Sequence, residues 1–434
     1  MDLLYARWQM GLSLAFHIIF AVIGMAMPVM MVAAEAAWLR TGRPEYLDLA
    51  KRWARGTAIL FAVGAVSGTV LSFELGLLWP AFMELAGPII GMPFSLEGFA
   101  FFLEAIFLGV YLYGWQKLTP RTHVFAGVMV SLGGVLSGAF VVTANAWMNT
   151  PAGFRLVDGQ IVEIDPWAAM LNPAAAAQVV HMLLAAYAAV GVAVAGLHAR
   201  LLLRDTSHPF HRRAFVIALI VALPAALVQP LSGHWVGRVV ARTQPAKLAA
   251  LEGQFATEAY APLRIGGIPD VDARETRYAL EVPGALSLLA HGDPATPVVG
   301  LNDVPRELWP PVTAVHIAFQ VMVAIGFWLA FLALWAGALW WRRRLFESRL
   351  FLRAMFLSTV LGFVAVEAGW IVTELGRQPW IIHGVMRTSE AVTPMPGLVV
   401  PFVLFTFIYI GLAAVVIALI RRSVLETAPP QGGA

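Results

Sequence analysis

Nine long apolar runs alternate with polar segments along the chain, at about 9–34, 56–80, 93–115, 123–148, 176–199, 213–232, 312–341, 351–375 and 395–420. Each meets the length of about 20 residues that an α-helix needs to cross the hydrocarbon core of a bilayer. The pattern predicts an all-α integral membrane protein with nine transmembrane helices. It divides the chain into 1–232 with the first six helices, a long polar loop at 233–311, helices seven to nine over 312–420, and a tail at 421–434. The tail's APPQGGA end reads as disordered.

Lys and Arg set the orientation. One alternating set of connections holds Arg40, Arg43, Lys51, Arg52 and Arg55, then Lys117 and Arg121, then Arg200, Arg204, Arg212 and Arg213, then Arg342, Arg343, Arg344, Arg349 and Arg353, and finally Arg421 and Arg422. The short connections of the other set hold only Arg7, Arg155, Arg377 and Arg387. By the positive-inside rule the N-terminus is outside and the C-terminus cytoplasmic. The 233–311 loop carries seven Lys/Arg and nine Asp/Glu, but long loops translocate regardless of charge. A connection of that length is functional or disordered.

Composition agrees and narrows the chemistry. The chain is 59% hydrophobic and 13% charged, with mean hydropathy +0.76. A net charge of +3 gives no support to a nucleic-acid partner. With no Cys there is no disulfide, no thiolate ligand and no covalent c-type haem. Redox chemistry would need a cofactor held by His, Met or carboxylate.

Ionisable residues at membrane depth are costly and mark pathways, relays or cofactors. The stretch EAGWIVTELGRQPW at 367–380 puts Glu367, Trp370, Glu374 and Arg377 at spacings of three, four and three, on one helical face. The plain alternative is a helix end with Arg and Trp at headgroup level. His17 lies in LAFHIIFAV among apolar neighbours, either a hydrogen-bonded structural residue or an axial haem ligand. His181 in QVVHMLLAAY and Met322 in HIAFQVMVAIGF sit at comparable depth and could close both axial positions of one haem iron, although a Met is more often core packing. Glu97 and Glu104, seven apart in PFSLEGFAFFLEAIF after a Pro93 suited to a first turn, suggest a proton relay or two protonated, hydrogen-bonded acids. Glu74 ends the second span near the outer surface; Ser137, Asn145 and Trp147 read first as polar helix-packing contacts and second as site lining, and His316 as an interfacial histidine. Lys247 and Glu252 in QPAKLAALEGQFATE read by pattern alone as solvated surface charges. Once orientation is set, His17, Glu97, Glu104, His181, Met322 and Glu374 all fall in the outer half, which fits one buried cofactor-rich site.

These residues carry a resemblance. The GRQPW block with its preceding GWxxxE, the EGFAFFLE block, QVVHMLLAAY, the histidine of the first span and KLAALE in the long loop are similar, in order and over nearly the whole chain, to subunit I of the cytochrome bd-type quinol oxidases. GTVLSFELGLLWP, HIAFQVM and the short outer loop resemble its cyanide-insensitive branch. The resemblance implies two four-helix groups plus one peripheral helix, in the bacterial cytoplasmic membrane. It implies that His181 and Met322 ligate a low-spin haem b, and that His17 and Glu374 each ligate one of two high-spin haems, the third haem being d or b. Glu97 and Glu104 would serve proton delivery, Trp370 would line the di-haem region, and Arg377 would pair with propionates. Lys247 and Glu252 would belong to the loop that binds quinol, either ubiquinol or menaquinol. The implied partners are a second oxidase subunit and, in some relatives, a small single-span one. Gln320 departs from the Arg of other branches. Two other classes stay open on the residues: a haem b quinol dehydrogenase that only relays electrons, and a proton-coupled transporter, for which the chain shows no inverted repeat.

Overall fold

Proline opens several of the long helices, where its fixed φ and missing N–H suit the first turn. The computed structural model describes residues 1–422; the end of the expected tail, 423–434, lies outside the described residues. Among the described residues, nine helices are long and apolar enough to cross a membrane: α1 Asp2–Thr41, α2 Pro44–Leu78, α3 Pro80–Tyr113, α4 Pro120–Asn149, α5 Ala175–Leu202, α6 Pro209–Thr243, α7 Val312–Trp341, α8 Arg349–Leu375 and α9 Val399–Ile420. α8 pauses after Leu357 and resumes at Leu361.

The first four helices pack as one group, α1 against α2 and α4, and α3 against α4. Helices α5–α8 form a second, with α6 against α5 and α7, and α8 against α5 and α7. Small residues let the central helices approach closely: a Cβ on Gly191 of α5 would stand 2.8 Å from Ala222 of α6. α5 also touches α1 and α4, joining the groups, while α9 lies against α1 and α2. A polar chain pins α9 there. Tyr409 donates to Ser13 Oγ at 3.0 Å, Ser13 donates to Glu74 Oε1 at 2.9 Å, and Gln9 donates to the same oxygen at 3.0 Å.

Two expected boundaries are corrected. α3 starts at Pro80, so Pro88 and Pro93 lie inside the helix, not in its first turn. α6 runs through Pro224 and Pro230 to Thr243, so the outer loop starts later than 233. Hydropathy marks where a helix tolerates lipid; the helix itself persists as far as its backbone bonds do. A spanning helix absorbs a proline because neighbouring helices re-satisfy the freed groups.

The loop after α6 is ordered. It holds a helix at Pro245–Glu252, an antiparallel hairpin pairing Leu263–Asp270 with Glu275–Val282, and a helix at Ala285–His291. α7 holds it down. The Gln320 side chain accepts from Gly266 N at 2.9 Å and donates to Arg264 O at 3.0 Å. His316 places its ring nitrogens 2.8 Å from Leu251 O and 3.1 Å from Gly266 O. With both nitrogens on backbone carbonyls, His316 is a clamp and no ligand.

At the other end of the bundle, Glu35 of α1 and His123 of α4 are fully buried, with Nδ1 2.7 Å from the carboxylate and Nε2 2.9 Å from Tyr111 O. Removing one partner strands the other in a medium that cannot solvate it. His123→Leu should therefore cost about 3–5 kcal/mol. The test is the melting temperature of the purified protein: the single variant falls, and Glu35→Leu/His123→Leu recovers part of the loss. Equal melting of wild type and His123→Leu would refute this.

Candidate cofactor site

Helices α1–α4 and the end of α8 surround a cavity of about 1090 Å³. Its walls are mainly apolar, and seven ionisable side chains line it: Arg7, His17, Glu97, Glu104, Glu367, Glu374 and Arg377. α5 adds Met182 to the wall, and α9 adds Phe402 and Thr406.

His17 Nδ1 lies 3.0 Å from Ser67 Oγ of α2, and that hydroxyl is within reach of Val63 O at 2.9 Å. A hydroxyl that donates to Val63 O can accept from Nδ1–H, the tautomer that leaves a lone pair on Nε2. The next residue, Gly68, makes room: a Cβ there would stand 3.0 Å from His17 Cε1.

Glu374 sits one helical turn beyond Trp370, which also faces the cavity. Asn145 Nδ2 donates to its Oε1 at 2.5 Å and Arg377 Nη2 to its Oε2 at 2.7 Å. Arg377 falls in the turn after α8, not on the helix, yet stays beside Glu374. It is 2% exposed, and its Nε and Nη1 have no partner among the described residues. A buried guanidinium with two idle donors calls for an anion.

Glu97 accepts from Ser137 Oγ at 3.0 Å. Glu104, two turns along α3, is 4% exposed and lies against glycine backbone; a Cβ on Gly133 or Gly134 would come within 2.9 or 3.3 Å of it. Its Oε1 has no partner among the described residues, nor has Oε1 of Glu367 on the opposite wall. The two α3 acids thus face a common space with proton-holding capacity to spare.

The second four-helix group holds the other pair. His181 Nδ1 lies 2.9 Å from Ser232 Oγ, which donates to Gln229 O at 2.8 Å, and the Gln229 amide nitrogen stands 3.3 Å from both ring nitrogens. Met322 packs its sulfur against α8, where a Cβ on Gly369 would stand 3.2 Å away. Neither residue lines the large cavity, but Met182, next to His181, does.

Lys247 and Glu252 are not solvated, contrary to the pattern reading. Both are about 95% buried. Helix Pro245–Glu252 packs inward, and Lys247 Nζ donates to Asn149 Oδ1 at 3.0 Å and Thr373 O at 3.3 Å. Burial, helped by Arg377 and opposed by Glu374, lowers its pKa to about 7. Burial raises Glu252 to about 8, against a smaller pull from Arg264. A carboxyl raised in the folded state contributes stability that is full below its ordinary value near 4.5 and lost as pH rises through 8. Thermal stability carried by Glu252 should thus fall between pH 5 and 8, and Glu252→Gln should flatten that slope. An unchanged slope would refute the assignment.

Among the described residues, no three His, Asp or Glu side chains converge as a site for a bare metal ion. Haem iron brings its own ring ligands and asks few of the protein. His17, the Glu374 carboxylate and a half-paired buried Arg377 around an apolar space fit that group, and His181 and Met322 offer an imidazole and a thioether in the second helix group. Ser67 and Ser232 were missed on the sequence. A signal was there: the chain has three Ser-Gly dipeptides, at 67–68, 137–138 and 232–233, and their serines contact His17, Glu97 and His181.

Fold and site together define a multi-pass membrane protein with a buried cavity whose donor side chains fit haem. Residues 5–428 match the family model described as cytochrome bd terminal oxidase subunit I, and the chain belongs to that family. It is 37% identical over 423 residues to a Bacillus subtilis (strain 168) protein provisionally named cytochrome bd menaquinol oxidase subunit I, covering 96% of this chain and 95% of that one. It is 32% identical over 444 residues to cytochrome bd ubiquinol oxidase subunit 1 of the same organism, covering 98% and 94%. The solved bd oxidase structure from Geobacillus thermodenitrificans matches with a TM-score of 0.92 at 39% identity, over 98% of this chain and 99% of that one. The expected family, the nine-helix fold and a place in the bacterial cytoplasmic membrane hold.

Proposed function

We propose that the chain is the haem-bearing subunit of a quinol:oxygen oxidoreductase that oxidises membrane quinol at the outer face and reduces oxygen to water. The observation that carries this is the pairing of ligand-ready His17 with Glu374 and Arg377 around one apolar cavity. Haem supplies one-electron chemistry and an oxygen-binding iron when bound.

The protein's own residues do the rest. His181 and Met322 would hold one low-spin haem b, suited to electron transfer. His17 and Glu374 would each hold one of two further haems, one of which would supply oxygen binding. Arg377 offers its idle N–H groups to propionate, and Trp370 excludes water beside Glu374. Glu97 and Glu104 hold protons next to the cavity. The loop after α6, with its helix carrying Lys247 and Glu252, is the quinol-binding element at the outer face. The relatives' names include both menaquinol and ubiquinol oxidases. The third haem is d or b.

The orientation follows the Lys/Arg distribution, with the N-terminus outside. Two quinols release four protons outside, and oxygen takes four protons from the cytoplasm to give two waters, so charge separates without a pump. A second oxidase subunit completes the enzyme, with a small single-span one in addition in some relatives. The test is the dithionite-reduced spectrum of the purified complex with and without carbon monoxide. Haem bands, part of them shifted by carbon monoxide, are expected; their absence ends the reading. Oxidase proteoliposomes that turn over quinol without generating a membrane potential would overturn the charge-separation part.

A further inference from the structure

We propose that Ser67 and Ser232 are positioning residues that fix the tautomer of His17 and His181, so that each presents Nε2 to iron. The inference rests on the haem reading above.

The same local construction occurs twice, in different helix pairs. In the first group, α2 supplies Ser67 to His17 of α1. In the second, α6 supplies Ser232 to His181 of α5. In both, the serine hydroxyl is bonded back to its own helix, to Val63 O or Gly64 O for Ser67 and to Gln229 O for Ser232. A hydroxyl has one proton. Where that proton goes to a backbone carbonyl, the hydroxyl lone pairs face the imidazole and accept from Nδ1–H, which is the tautomer proposed. In both, the following glycine lies against the ring edge, at 3.0 Å for Gly68 and 3.4 Å for Gly233 from a would-be Cβ to Cε1. Serine sets the proton, and glycine sets the closeness of the ring to the neighbouring helix.

The chemistry explains the choice of serine. A carboxylate partner would pull the Nδ1 proton and make the imidazole a stronger donor to iron. A neutral hydroxyl accepts without that pull and adds no buried charge. It therefore orients the ring and leaves the imidazole neutral. At His181 the Gln229 amide stands 3.3 Å from both ring nitrogens as a second neighbour, so the clearer test is at Ser67.

The experiment compares Ser67→Ala and Ser67→Thr in the whole oxidase complex. Wild-type haem bands must be present first; if they are absent, the haem reading fails, not this inference. In Ser67→Ala the ring is free to carry its proton on Nε2. Its haem should be retained about 10- to 100-fold less tightly, with loss of part of the carbon monoxide response. The His181/Met322 bands should be unchanged, which serves as the folding control within the same sample. Ser67→Thr keeps the hydroxyl and should restore the signal. Ser232→Ala should show the reverse pattern, losing or shifting the low-spin bands and midpoint potential while sparing the carbon monoxide response. The proposal is overturned if Ser67→Ala keeps its carbon monoxide response and haem retention. It is also overturned if Ala and Thr variants lose both equally, because that would mark steric packing and not the hydroxyl.

Discussion

Glu374→Ala removes one haem and lowers quinol oxidase turnover by about 100-fold or more. Losing a partner that merely orients a metal ligand costs about 10- to 100-fold, and Glu374 is proposed as the ligand itself, so that range is a floor. The substitution also frees Arg377, whose Nη2 is 2.7 Å from the carboxylate, and Asn145 at 2.5 Å. That leaves a buried guanidinium without a counter-charge, which weakens the wall further. Glu374→Gln separates the effects: it keeps the shape and an acceptor for Arg377 but loses the charge. The measurement is haem content and the reduced spectrum, with the low-spin bands as reference. Full retention of all haems and activity in Glu374→Ala would remove Glu374 from the site.

His181→Ala stops quinol-driven turnover by a similar factor for a different reason. His181 lies outside the large cavity and is proposed to hold the haem that receives electrons from quinol. Its loss should abolish the low-spin bands and the reduction of the remaining haems by quinol. Dithionite should still reduce those haems, and carbon monoxide should still bind them, because His17 and Glu374 line a separate cavity. Met322→Leu should be milder and more specific: with Met322 as the proposed ligand, the variant should keep its haem but gain a new carbon monoxide response in the low-spin bands. A His181→Ala enzyme that is still reduced by quinol at the wild-type rate would place the electron donor site elsewhere.

The loop helix shows where sequence reading stopped short. KLAALE reads as surface because its charges sit on a polar segment. Lys247 is nonetheless buried, since its acceptors, Asn149 and Thr373, lie 98 and 126 residues away. The same holds for Arg377, which spacing alone placed on the helix and the structure places in the following turn. Glu374, His17 and His181 were legible as candidates because ionisable groups in apolar spans are rare enough to stand out singly. Their serine partners, Ser67 and Ser232, were not, and Asn145 stood out only as packing first and site lining second, since serine and asparagine are ordinary helix residues until something packs against them.

The sequence by itself determined that nine helices span the membrane. In lipid every backbone polar group must be satisfied within its own segment, so each span declares itself locally in its hydropathy. It also determined which rare side chains are too costly at depth to be idle. Only the tertiary structure decided which of these meet. It brought Ser67 to His17 across 50 residues and Asn145 to Glu374 across 229, left two Arg377 donors open to an anion, and separated the His181 site from the large cavity. Hydrogen bonds between helices depend on rotation and register, and neither is written in the hydropathy of a single span.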